Sequence, residues 1–224
     1  MATIASNIQQ VRSRIAKACA AAQRPVQSVT LLTVSKTFSA EAVREAFAAG
    51  ERSFGENYVQ EGIEKIAALA DLRTQIAWHL IGPLQSNKTR AVAEHFDWVH
   101  SVDRLKIAER LSEQRPPHLA PLQVCLQVNI SGEASKSGVS VDEAPALAQA
   151  VAALPRLRLR GLMAIPEPEA GAAPHRALRQ LLLQLQGQGL ALDTLSMGMS
   201  ADLEVAIAEG ATLVRVGTAI FGSR

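Results

Sequence analysis

Apolar positions along the chain follow two alternating periods. Ile4, Ile8, Val11, Ile15 and Cys19 recur every three or four residues between positions 3 and 22, one stripe of a helix, and Pro25 stops it. Val29 to Ser35 is then a run of Val, Leu and Thr, the pattern of a strand buried on both faces in a parallel sheet. Ser39 is placed to cap a helix through Ala49, with Gly50 as terminator. The rhythm repeats, with strands at Arg52 to Gly55, Ile76 to Ile81, Trp98 to Val102, Leu122 to Ile130, Leu157 to Ile165, Leu192 to Met197 and Thr212 to Val216. Between them the spacing predicts helices over Tyr58 to Leu69, Asn87 to His95, Asp103 (as cap) to Gln114, Val141 to Leu154, Pro174 to Gln186 and Ala201 to Glu209. Eight strands alternating with helices, without a hairpin signal, predict one α/β domain over residues 1–224: a closed (β/α)8 TIM barrel with an extra N-terminal helix. A doubly wound open sheet is the second arrangement.

Composition narrows the function classes. Among 224 residues, 23 basic against 21 acidic leave +2, too balanced to point to nucleic acid or a charged membrane surface, and 4% aromatics give little for base stacking. Arg156, Arg158 and Arg160 alternate with Leu157 and Leu159, as on one face of a half-buried strand. No apolar run reaches the roughly 20 residues that span a bilayer, and the first residues lack a signal-peptide layout. Cys19 and Cys125 fall in a helical and a strand pattern, so they are expected as reduced core thiols, which suits the cytoplasm. His79 is expected in a packed layer and His100 at a strand end, with His95, His118 and His175 at solvated positions; they form no metal-ligand spacing. Walker A, GxGxxG and nucleophile-elbow motifs are lacking as well.

In a barrel the chemistry belongs at the C-terminal ends of the strands. Lys36 stands there after the first strand, and of the six lysines it alone directly follows a fully apolar run. Such a lysine is either snorkelling to water or a reactive amine at a pocket mouth. The segments closing strands seven and eight, Ser196 to Ser200 (SMGMS) and Arg215 to Gly222 (RVGTAIFG), combine glycines with turn residues. Backbone N–H groups can approach a ligand at such places, a helix N-terminus favours an anion, and barrels commonly hold phosphate there. An amine facing a phosphate cradle fits a ligand with a carbonyl at one end and a phosphate at the other. A sugar phosphate, as in a Schiff-base aldolase, and pyridoxal 5′-phosphate both qualify. Arg215, set against a pyridine nitrogen, would donate to it and keep it unprotonated. Lys136, in the loop after strand five, reads as a solvated charge.

Eight segments in order then carry a resemblance over essentially the whole chain: TVSKT at Lys36, FGENYVQE from Phe54, WHLIGPLQSNK from Trp78, HSVDR from His100, QVNISGEASKSG from Gln127, RGLMAIP from Arg160, LSMGMSADLEVAI from Leu195 and VRVGTAIFG from Val214. Through them the sequence resembles the pyridoxal phosphate homeostasis protein family, the YggS/PROSC group. The resemblance implies a barrel similar to the N-terminal domain of alanine racemase, with pyridoxal 5′-phosphate (PLP) as a Schiff base on Lys36. It implies phosphate contacts from Ser200, Gly217 and Thr218 with Ser196 and Gly198 close by, Arg215 near the pyridine nitrogen, and Asn57 near the cofactor. A compact stretch between Pro166 and Leu192 departs from the family pattern, away from these residues. A racemase of this fold would need a second base opposite Lys36, and the only tyrosine, Tyr58, reads as core or rim packing. The expected function is therefore cytoplasmic PLP homeostasis without robust turnover, by a monomer whose candidate partners are PLP-dependent apoenzymes. An amino-acid racemase is the alternative.

Overall fold

The computed structural model describes residues 3–133 and 136–222; Ala134 and Ser135 of the SGEASKSG loop lie outside the described residues. Eight parallel strands close into a barrel in sequence order: β1 Thr30–Val34, β2 Ser53–Glu56, β3 Ala77–Leu80, β4 Trp98–Val102, β5 Leu122–Gln127, β6 Leu157–Met163, β7 Thr194–Ser196 and β8 Leu213–Val216. The ring is sealed by β1 against β8, from Thr30 opposite Leu213 to Thr33 opposite Val216. The open sheet is thereby excluded. Helices α2 Ala40–Ala48, α3 Val59–Ala68, α4 Thr89–His95, α5 Leu105–Gln114, α6 Ala144–Ala152, α7 Ala173–Gly187 and α8 Leu203–Ala208 connect the strands.

The leading helix, α1 Ile4–Ala21, turns Ile8, Val11, Ile15, Ala18 and Cys19 inward. Burying each large aliphatic side chain contributes about 1.5–3 kcal/mol, which docks α1 on α2, α8 and the final short helix α9, Thr218–Phe221. Polar bonds fix its register: Asn7 Nδ2 donates to the Ile220 carbonyl at 2.8 Å, and Arg14 reaches the Ser200 carbonyl at 2.9 Å and Glu204 at 2.7 Å. The extra helix thus braces both segments that close the last two strands.

Several boundaries differ from expectation, each for a local reason. Ser39 caps α2 as expected, its hydroxyl accepting from the Ala42 N–H. Asp103 does not cap α5: Arg104 holds that position, and the Asp103 carboxylate pairs with its guanidinium at 2.9 Å. Strand β5 ends at Gln127: the Val128 N–H still reaches the Met163 carbonyl of β6 at 2.9 Å, but the next amide, Asn129, donates to the Val139 carbonyl as the loop folds back. The arginine triplet splits. Arg156 lies outside β6 at φ +60°, whereas Arg160 is half-buried, bidentate to Asp193 at 2.8–2.9 Å, with its guanidinium over the Trp98 ring.

Candidate functional site

The cavity at the C-terminal mouth, about 700 Å³, is lined from several strand ends by Lys36, Asn57, Ser200, Arg215, Gly217 and Thr218. Six of the eight residues named from sequence therefore share one wall-to-wall space. Lys36 is half-buried, and its amine has no hydrogen-bond partner among the described residues. Asn57 follows β2 and is backed by Gly82, where an added Cβ would lie 2.1 Å from the Asn57 carbonyl oxygen; no other residue fits there without moving the Asn57 backbone. The remaining two, Ser196 and Gly198, lie behind the cavity surface.

Gly198, at φ +92°, lets the chain turn from β7 while its carbonyl accepts from the Arg215 N–H at 2.9 Å. The loop after it is pinned by Asp202, which accepts from the Met199 N–H at 2.7 Å and from His175 Nε2 at 2.9 Å. His175 is thus a correction: it is buried in α7, 1% exposed, and not a solvated position. Burial acts to raise the Asp202 carboxyl, but its bonds to His175 and the Met199 amide leave it below its ordinary value. Among the described residues, the backbone N–H groups of Ser200, Ala201, Gly217 and Thr218 have no internal acceptor. They lie in the two loops that flank the mouth, so the cavity offers donors for several oxygens of one anion. Helices α8 and α9 are short, so what these segments present to the cavity is individual amides more than a helix dipole.

Beneath the cavity runs a buried polar chain across four strands. Arg215, 4% exposed, donates from Nη1 to Ser196 Oγ at 2.8 Å and from Nη2 to the Ala164 carbonyl at 2.9 Å. Ser196 Oγ lies 2.8 Å from His100 Nδ1, and His100 Nε2 lies 2.9 Å from His79 Nδ1. A guanidinium can only donate, and this fixes the direction of its own two bonds: Ser196 Oγ and the Ala164 carbonyl accept. Within the two histidine links, each neutral ring gives one nitrogen as donor and the other as acceptor, so the tautomer of His100 sets the roles in both links at once. Both imidazoles are neutral: burial pulls His79 down to about 3 and His100 well below its usual value, aided by His79 and Arg215. Burial also lowers Arg215 to about 10, so it remains a cation and a donor at neutral pH.

The structure also brings in residues that sequence reasoning passed over. Lys65 is buried in α3, 6% exposed, and its ammonium bonds the Ser35 carbonyl, Glu56 and Glu61 at 2.6–2.8 Å. Burial pushes the Glu56 carboxyl up, Lys65 pulls it back, and it stays above its ordinary value. Tyr58 is not a core residue: it stands at the start of α3, 57% exposed. Lys136 is paired, 3.2 Å from both Glu133 and Glu167, and lines a smaller cavity of about 270 Å³ that shares Asn57, Ile81 and Ile165 with the first.

A barrel of this order, with a lysine at the first strand end and amides at the last two, matches a described class. The family of the alanine racemase N-terminal domain matches residues 1–224, so the chain belongs to that class of barrels. Within it, the chain belongs to the pyridoxal phosphate homeostasis proteins: it is 66% identical over 228 residues to the one from Pseudomonas aeruginosa, covering 100% of this chain and 97% of the relative. The Escherichia coli K12 protein of the same name is 55% identical over 229 residues, covering 100% and 98%. PipY of Synechococcus elongatus PCC7942, solved with PLP bound, is 42% identical and superposes with a TM-score of 0.84 over 98% of this chain and 100% of PipY.

Proposed function

We propose that this chain is a single-domain, monomeric carrier and buffer of PLP in the cytoplasm, holding it through Lys36 as a Schiff base and passing it on to PLP-dependent apoenzymes. One observation carries the reading: an unpaired lysine amine, an obligate donor (Arg215) and open backbone amides all serve one cavity. The naming of the relatives and the PLP in PipY agree with it. The neutral amine of Lys36 adds to the aldehyde carbon, and the carbonyl oxygen leaves as water. Ser200, Gly217 and Thr218 hold the phosphate oxygens, with Ser196 and Gly198 shaping the walls behind them, and Asn57 borders the ring. When bound, PLP can act as an electron sink at its ring nitrogen, and Arg215, able only to donate, holds that nitrogen unprotonated and weakens the sink.

A further observation supports holding over turnover. Racemisation needs a second proton carrier opposite Lys36. Among the described residues lining the cavity, Lys36 and Arg215 alone are titratable, and Tyr58 is not on its wall. No described helix is long and apolar enough to cross a membrane, and both cysteines are free and buried, which fits a reducing compartment. The test is equilibrium uptake of PLP by the wild type and Lys36→Ala, followed by visible absorbance, with optical rotation of L-alanine monitored in parallel. The expected outcome is a yellow wild type, a colourless variant and constant rotation. Steady loss of rotation in proportion to protein would establish a racemase instead.

A further inference from the structure

We infer that Lys65 and Glu61 are positioning residues for Lys36, holding the peptide groups on either side of it and so fixing where its amine enters the cavity; this rests on the role proposed for Lys36 above. Upstream, the Ser35 carbonyl accepts from Lys65 Nζ at 2.6 Å. Downstream, the Thr37 N–H donates to Glu61 Oε1, and that same oxygen accepts from Lys65 Nζ at 2.6 Å. One ammonium and one carboxylate oxygen therefore bridge residues 35 and 37 across the lysine between them. The third proton of Lys65 goes to Glu56 Oε1 at 2.8 Å, which also takes the Ser35 hydroxyl at 2.6 Å. With all three protons engaged, the ammonium is committed to the clamp and has no lone pair with which to act as a second nucleophile.

The segment needs such a clamp. The ladder of β1 ends with the Ser35 N–H on the Gly55 carbonyl, so Lys36 lies beyond the sheet. Thr37 then sits at φ +65°, a left-handed conformation that a β-branched residue adopts only when its surroundings impose it. The Glu61 bond to its N–H is a restraint from outside the turn, which is also held by the Thr37 hydroxyl on the Lys36 carbonyl at 2.6 Å and the Phe38 N–H on the Ser35 carbonyl at 3.1 Å. Release lets Thr37 relax toward extended backbone and swings the peptide that carries Lys36. Phe38, stacked on Phe221 with centroids 4.8 Å apart, ties the far side of the same turn to the end of α9.

The test separates covalent capture from simple binding by using two probes: PLP, and pyridoxine 5′-phosphate, which has an alcohol in place of the aldehyde and cannot condense with an amine. Lys65→Met strands the buried Glu56 carboxylate and can unfold the chain, so Glu61, 25% exposed at the rim, carries the experiment. Glu61→Ala is expected to slow the rise in visible absorbance after PLP addition by about 10-fold or more, since a misplacement near 1 Å costs up to about 100-fold. Its affinity for pyridoxine 5′-phosphate stays at the wild-type value. Glu61→Gln, which keeps an oxygen for Thr37 and Lys65, restores the rate. The positioning role is overturned by a wild-type rate in Glu61→Ala, by equal losses of rate and pyridoxine 5′-phosphate affinity, or by a Glu61→Gln protein as slow as Glu61→Ala. A wild type that takes up neither probe removes the role of Lys36 along with it.

Discussion

Replacing Ser196 by alanine deletes the hydroxyl that joins Arg215 to the two buried histidines. The side chain is fully buried, and its oxygen makes two bonds, each 2.8 Å, to Arg215 Nη1 and His100 Nδ1. Alanine leaves a guanidinium N–H without an acceptor and an imidazole nitrogen without a partner, both enclosed by protein. A bond to a charged group contributes about 1.5–3 kcal/mol and a neutral one about 0.5–1.5, so the expected loss is about 2–4 kcal/mol. Urea denaturation measures it directly: the midpoint falls while the slope, set by the surface exposed on unfolding, stays unchanged. His100→Phe adds less in the Ser196→Ala background than in the wild type, because the chain is already broken at the neighbouring link. A loss below about 0.5 kcal/mol, or strict additivity of the two changes, would refute the bridging role of the Ser196 hydroxyl.

Acid should destabilise the fold through the same chain. The folded pKa of His79 lies at about 3 against an unfolded value of about 6.5, so the unfolded state binds more protons below neutrality and stability is lost as pH falls below about 6.5. His79 alone accounts for about 2 kcal/mol by pH 5. His79→Phe should show a pH 7 to pH 5 loss smaller by that amount, and equal losses would contradict the assignment. At the mouth, Gly82→Ala forces the Asn57 backbone to shift away from a Cβ 2.1 Å from its carbonyl oxygen, an overpacking that costs about 1–3 kcal/mol. Thermal denaturation reads that cost, and titration with pyridoxine 5′-phosphate reads the expected weakening at the displaced Asn57 wall.

The barrel was legible because parallel strands covered on both faces must be apolar from end to end, and β4 at Trp98–Val102 coincides with its run. Ends were less legible where side chains compete with the backbone, as at Asp103, or where a loop takes over the ladder, as at Val128. Lys36 and the two closing segments could be found because glycines and a lone lysine at strand ends break the local pattern. Lys65 and His175 were findable too. Gly62, Lys65, Ile66 and Leu69 lie on one helical stripe, as do His175, Leu178, Leu182 and Leu185, and a polar residue on such a stripe is buried with its neighbours. The chain from Arg215 to His79 was not. Its members come from four strands, and which of them meet depends on the stagger at which the barrel closes, a property of the whole ring.

The most direct test of the central claim is to add PLP, reduce with borohydride and map the modified peptide by mass spectrometry. Reduction fixes whichever amine carried the cofactor. The geometry predicts one pyridoxyl group, on the peptide containing Lys36, with Lys65 untouched inside its three hydrogen bonds. A pyridoxyl group on Lys136 in place of Lys36, or no adduct on any lysine, would contradict the account.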